Sequence, residues 1–141
     1  MDKLKQEESK ELSRAFSWLL NKKYTTTLKI LIEGGLDVNI IDKTSGTEDS
    51  LLSLAVSLGN VEIAKLLVEK GAKVNVRNFE KWTPLHMAAT YNRIELAKFL
   101  LENGAYLNAR DEDGKTSLFW ADYWGHKGMV TFLKAKGGRL R

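Results

Sequence analysis

Apolar residues in the C-terminal half of the chain return on a 33-residue step. Thr83, Leu85, Ala88, Ile94, Ala97, Leu100 and Leu101 map one step later onto Thr116, Leu118, Ala121, Lys127, Val130, Leu133 and Lys134. Gly71-Ala72-Lys73-Val74-Asn75 likewise recurs as Gly104-Ala105-Tyr106-Leu107-Asn108, and Gly137-Gly138 falls one further step on. Within a step the spacing predicts two helices. Thr83 and Pro84 open the first, as N-cap and first helical residue, and Leu85, Met87, Ala88 and Ala89 make it apolar. Tyr91-Asn92-Arg93 breaks it. Ile94 to Glu102 predicts a second, amphipathic helix with Ile94, Ala97, Leu100 and Leu101 on one face, closed by Asn103-Gly104. Ala105 to Lys115 reads as extended and turn-rich, with Asp113-Gly114 as a tight-turn pair.

A fixed period of this size means stacked supersecondary units, none of which buries its apolar face alone. Two of the seven mapped positions become charged, Lys127 and Lys134, as a solvent-facing terminal unit requires. Upstream, Leu36 to Lys70 keeps Asp37-Val38-Asn39, Leu52, Ala55, Gly59-Asn60, Ile63 and Leu66-Leu67. Asn39 to Asn75 spans 36 residues, so three extra residues lie within Lys43 to Ser50, and Ser50-Leu51 replaces the Thr-Pro pair. A longer, more mobile hairpin is expected there. Leu12 to Leu20 and Leu28 to Ile32 predict a helix pair ending at Gly34-Gly35, with Phe16, Leu19, Leu28 and Leu31 at core offsets and Trp18 in the core.

The run Thr83-Pro84-Leu85-His86-Met87-Ala88-Ala89, then Leu100-Leu101-Glu102-Asn103-Gly104-Ala105, then Asn108-Ala109-Arg110-Asp111, resembles the ankyrin repeat. The next unit keeps Gly114, Thr116, Leu118, Ala121, Gly125 and His126 at matching offsets, with Ser117 in the proline position. The resemblance covers about residues 12–138. It implies an all-α-dominated ankyrin-repeat α-solenoid, of about four helix-pair units with short β-hairpin fingers and caps at both ends. A single domain over 1–141 is expected to divide into a degenerate N-terminal cap repeat (12–35), a repeat with a three-residue hairpin insertion (36–70), a repeat (71–103), a repeat that is also the C-terminal cap (104–136), and a basic tail (137–141).

Composition narrows the classes. The chain has 141 residues, 43% hydrophobic and 28% charged, and no cysteine, so thiolate metal sites and disulfides are excluded. The longest uncharged apolar runs fall far short of the roughly 20 residues that span a bilayer. Met1 to Glu11 shows no apolar signal-peptide core. A cytoplasmic location is therefore expected, or a periplasmic one if a leader has been removed. The net charge of +4 is uneven: after Asp122 no acid follows, while Lys127, Lys134, Lys136, Arg139 and Arg141 do. Cations suit the C-terminal end of a last helix and the polar face of a terminal repeat.

A catalytic set cannot be assembled. The two histidines, His86 and His126, are family positions, and the resemblance implies that the His86 imidazole bonds a neighbouring hairpin backbone. No zinc-ligand cluster, P-loop or dinucleotide-binding glycine pattern is present, and no cofactor is expected. The acidic triplet Asp111, Glu112 and Asp113 lacks the alternating ligands of a calcium loop and reads as hairpin solvation.

The positive signal is aromatic. In ankyrin-like stacks the partner-facing residues are the finger tips and the last turn of each first helix, lining a concave groove. Matching offsets here gives Phe79, Glu80, Trp82, Thr90 and Tyr91 in one unit and Glu112, Asp113, Lys115, Tyr123 and Trp124 in the next. Large exposed aromatics are the usual anchors of protein interfaces, and exposure is expected of Trp82 and Tyr91. Phe119 and Trp120, at the His86 and Met87 registers, read as core. Glu48, Asp49, Glu80, Asp111, Glu112 and Asp113 are expected to form an acidic rim, steering basic partners.

The chain therefore reads as a monomeric, non-catalytic protein-binding module, an inhibitor or adaptor whose partner is another protein. A membrane partner is not expected. Two alternatives stand beside this. One is a bacterial immunity or self-protection inhibitor of a hydrolase; the other is a nucleic-acid-associated regulator using the cations from Lys127 to Arg141.

Overall fold

The computed structural model describes residues 20, 24–43 and 46–141. The Leu12–Leu20 helix, apart from a buried Leu20, lies outside the described residues, as do Phe16, Trp18, Leu19 and positions 44–45. Contacts group the chain into two compact units, divided between Lys73 and Val74.

The first unit contains α1 (Thr25–Glu33), the two-residue strands β1 (Ile41–Asp42) and β2 (Asp49–Ser50), α2 (Leu51–Ser57) and α3 (Val61–Glu69). The strands pair antiparallel, Ile41 with Ser50 and Asp42 with Asp49. Ser50 both ends the finger and caps α2, its hydroxyl accepting the Ser53 N–H, so the Thr-Pro opening is replaced without loss of the cap. Asn60 does the same for α3 through the Ile63 N–H. α3 packs on both α2 and α1. Leu51, Leu52, Ala55, Val56, Ile63, Ala64 and Leu67 are all buried between them. On α1 the buried residues are Leu28 and Ile32, one helical turn apart, and Leu31 is exposed. That corrects the expectation for Leu31: residues i and i+4 share the packed face, and Leu31 is turned off it.

The second unit contains α4 (Pro84–Thr90), α5 (Ile94–Glu102), α6 (Ser117–Tyr123) and α7 (Lys127–Ala135). The short helices α4 and α6 pack side by side, and each packs on the longer helix that follows it. Small, fully buried Ala88, Ala89, Ala97 and Ala121 allow that close approach, while Leu85, Leu96, Leu100, Leu118, Met129 and Leu133 fill the core. The helix pairs and short fingers are those of the all-α class expected from the sequence, in both units.

Three asparagines one repeat apart hold successive repeats together. In the first unit Asn39 Nδ2 donates to the Gly71 carbonyl and Asn39 Oδ1 accepts the Lys73 N–H. In the second, Asn75 bonds Gly104 and Tyr106 in the same way, and Asn108 bonds Gly137 and Arg139. Each clasp satisfies backbone groups that the end of a helix leaves free. The last one engages residues of the basic tail. Gly138 is required there for space, since a Cβ would lie 2.7 Å from the Leu133 carbonyl oxygen.

Candidate interaction face

Two fingers of the second unit are built on the same turn. Asn78 Oδ1 accepts the N–H groups of Glu80 and Trp82, and Asp111 Oδ1 accepts those of Asp113 and Lys115. The turns are closed by backbone bonds from Asn78 to Trp82 and from Asp111 to Lys115. A further bond, from the Glu112 N–H to the Glu80 carbonyl, ties one finger to the other. Asp111 is 5% exposed, and its second oxygen accepts the Trp120 indole N–H at 2.7 Å. It is therefore no part of an acidic rim. A carboxylate that satisfies three N–H donors has to turn inward, while Glu112 and Asp113 remain exposed. Glu80 is exposed too, and Glu48 and Asp49 of the first unit are half-buried, with Asp49 accepting from the Thr47 hydroxyl.

His86 locks the finger to the helix behind it. The Thr83 hydroxyl accepts the His86 backbone N–H while Nδ1 accepts the Thr83 N–H, a reciprocal capping box. The proton consequently sits on Nε2, which donates to the Lys115 carbonyl at 3.0 Å. Burial holds the imidazole below the usual histidine range, against the raising effects of the Lys115 carbonyl and the Asp111 charge. The expected bond from His86 to a neighbouring finger is thus found. His126, just before α7, bonds in the other direction, donating from Nε2 to the Thr90 carbonyl of the preceding repeat at 2.9 Å. Thr90 itself is half-buried, with its hydroxyl unpartnered among the described residues.

The rings divide into a connected group and two outliers. Trp82 lies against Trp120 with centroids 5.1 Å apart and against His86 at 5.6 Å. Trp120 meets Phe119 and Tyr123 edge-on, and Tyr123 meets Trp124 edge-on at 5.0 Å. Phe119 and Tyr123 are stacked. Lys115 extends its ammonium over the Phe119 ring, 4.4 Å from the centroid. Phe79 and Tyr91 stand apart from this group, 66% and 52% exposed, while Tyr123 and Trp124 are 63% and 55% exposed.

Two expectations are corrected. Trp82 is half-buried rather than exposed, because Trp120 and His86 cover its ring. Phe119 and Trp120 are half-buried rather than core. Phe119 holds the His86 register and lies beneath the Lys115 ammonium, and the Trp120 indole is held at the finger by Asp111. Phenylalanine in a histidine register has no polar atom with which to bond a finger carbonyl, so the Phe119 ring lies under Lys115 instead. Among the described residues no group of three or more His, Cys, Asp or Glu side chains is arranged to hold a metal ion. None of the described helices is long and apolar enough to cross a membrane.

The family model described as "Ankyrin repeats (3 copies)" matches residues 14–111. The chain belongs to the ankyrin repeat family. Ankyrin repeats are protein–protein interaction modules. Among its relatives, the ankyrin repeat protein FPV232 of Fowlpox virus (strain NVSL) is 41% identical over 70 residues, half of this chain and 14% of that protein. Protein phosphatase 1 regulatory subunit 12A of Mus musculus is 43% identical over 47 residues, 33% of this chain and 4% of its own length. Notch-regulated ankyrin repeat-containing protein A of Danio rerio is 34% identical over 77 residues, 54% of this chain and 69% of its own. The chain thus spans only a small part of the fowlpox and phosphatase-subunit proteins.

Proposed function

We propose that this ankyrin-repeat chain binds a partner protein through the finger tips and the ring-bearing face of its second unit, acting as an inhibitor or adaptor without a catalytic step. The observation that carries this reading is the group Trp82, Trp120, Phe119, Tyr123 and Trp124, continuous from half-buried rings to rings more than half exposed. Tyr123 and Trp124 are the anchors, with Tyr91 and Phe79 as separate contacts. Trp82, Trp120 and Phe119 form the floor that holds the anchors in place. Glu80, Glu112, Asp113, Lys115 and Thr90 tune specificity. Because the fingers are tied to each other by a backbone bond and to helices through His86 and Trp120, their tips are ordered before binding, and little conformational entropy is lost on association. The regulatory subunit among the matched proteins, of which this kind of segment is a small part, supports a role in binding rather than turnover.

The test is affinity capture with wild type beside a Tyr91→Ala/Tyr123→Ala/Trp124→Ala variant shown to be folded by its urea unfolding curve. A captured protein is then purified and its Kd measured with both. Truncation at interface hot spots costs about 2 kcal/mol or more each, so the variant should bind at least about 30-fold more weakly. An unchanged Kd removes this face from the function.

A further inference from the structure

Resting on the reading just given, we infer that the corner between Tyr123 and Trp124 receives a cationic side chain, arginine or lysine, from a basic segment of the partner protein. Three observations on this face lead there. The first is ring geometry. The two planes meet at 87° with centroids 5.0 Å apart, and both rings are more than half exposed. An edge-on pair presents one ring's edge to the other's face, which leaves open π-surface on either side of the corner. Such surface is negative and attracts cations.

The second is that the same helix already holds a cation in this manner. The Lys115 ammonium rests over Phe119, which is stacked with Tyr123. An ammonium that could stay in water instead occupies a ring of this cluster.

The third is the balance of charges left over. On the two fingers, Lys115 is engaged with Phe119, and the Arg77 guanidinium donates to the Arg110 carbonyl at 2.8 Å. Lys81 and Arg110 are the cations that remain there. Against them Glu80, Glu112 and Asp113 at the tips, and Asp122 next to Tyr123, are exposed and carry no ion pair among the described residues. A cation approaching the ring corner would be drawn by the negative field of these carboxylates, whereas an acidic side chain would meet negative π-faces and negative tips. The chain as a whole is +4, so a basic probe is repelled at long range and any capture of it has to be local.

The experiment uses the full chain with three synthetic twelve-residue peptides in which glycine alternates with arginine, with lysine or with glutamate. Binding is followed by the indole N–H signals in two-dimensional NMR, at low and at physiological salt. The arginine and lysine peptides should shift the Trp124 signal saturably, and the glutamate peptide should not. A Tyr123→Leu/Trp124→Leu variant keeps apolar area but removes the π-faces, and should weaken binding about tenfold. A Glu112→Lys/Asp113→Lys variant, which leaves the rings in place, should weaken it at low salt and less at high salt. The inference is overturned if the glutamate peptide binds as well as the basic ones, if the leucine variant binds the basic peptides undiminished, or if no basic peptide binds. In any of these cases a captured partner that still loses affinity in the triple alanine variant leaves the docking face standing. Loss of neither peptide nor partner binding removes both readings.

Discussion

The two repeats of the second unit, α4–α5 and α6–α7, share a register and differ in what they ask of it. In the first, His86 reaches a finger carbonyl, Ile94 meets the following helix pair at Gly128, and Leu101 is half-buried on α5. In the second, the same registers hold Phe119, Lys127 and Lys134. The caps, the finger turns and the asparagine clasps are retained in both. One backbone plan therefore carries two jobs: the first repeat joins the repeat that follows it, and the second turns rings and cations outward. The proposed docking role is assigned to the side chains that the plan does not need.

Exchanging residues between the repeats breaks that comparison most sharply at the histidine register. His86→Phe leaves the buried Thr83 N–H without its acceptor and removes one of two bonds to the Lys115 carbonyl, which keeps the Asp111 N–H. At about 1–3 kcal/mol for the unsatisfied N–H and about 1 kcal/mol for the lost bond, it should lower the unfolding free energy by roughly 2–4 kcal/mol in urea titrations. The reciprocal Phe119→His should change it by under about 1 kcal/mol. Equal losses would show that the two registers are not distinguished by their bonding.

A smaller effect is expected where the repeats meet. Ile94→Lys places a charge against Gly128 and should cost about 1–2 kcal/mol of stability, by the same titration. Lys127→Ile should cost almost nothing in stability. It would instead add apolar surface, read as concentration-dependent association in sedimentation velocity.

Smaller again is the finger turn, where Lys81 (φ 60°) occupies the left-handed conformation that Gly114 (φ 75°) fills one repeat on. Lys81→Gly should raise stability by up to about 1 kcal/mol, and Gly114→Lys should lower it by a similar amount, both seen as shifts in thermal midpoint.

The smallest effect is with pH. Because burial depresses the folded-state pKa of His86 below its unfolded value of about 6.5, the unfolded chain binds the extra proton first. The neutral imidazole's contribution is complete above about pH 6.5 and is lost as pH falls through the lower, folded-state pKa. His86→Phe should flatten that part of the stability–pH curve relative to wild type.

Much of this fold was legible in the sequence because the period places like residues at like positions. Thr83 and Pro84 predict a capped helix, the ankyrin resemblance implies a finger bond from His86, and the structure contains both. What stayed hidden depends on contacts between distant residues. Nothing in Asp111-Glu112-Asp113 tells which carboxylate turns inward, since that is decided by the Lys115 N–H and the Trp120 indole. The tilted contact of Trp82 with Trp120 joins residues more than one repeat apart, so single positions read against a repeat pattern put Trp82 outside and Trp120 inside. Asn39, Asn75 and Asn108 were visible as markers of the period but not as the clasp between repeats. Of the ten residues expected to face a partner, the rings of Trp82, Tyr123 and Trp124 fall in one connected cluster, with Lys115 attached to it through Phe119.

On the function proposed above, the ring-bearing face of the second unit, not the outer side of its long helices, meets the partner. Amide hydrogen exchange of the wild-type chain, alone and saturated with its captured partner, tests this directly. Slowed exchange is expected at residues 78–82, 90–93, 112–116 and 123–126, with little change elsewhere. Slowing confined to residues 98–103 and 131–136 on α5 and α7, with the fingers unaffected, would contradict it.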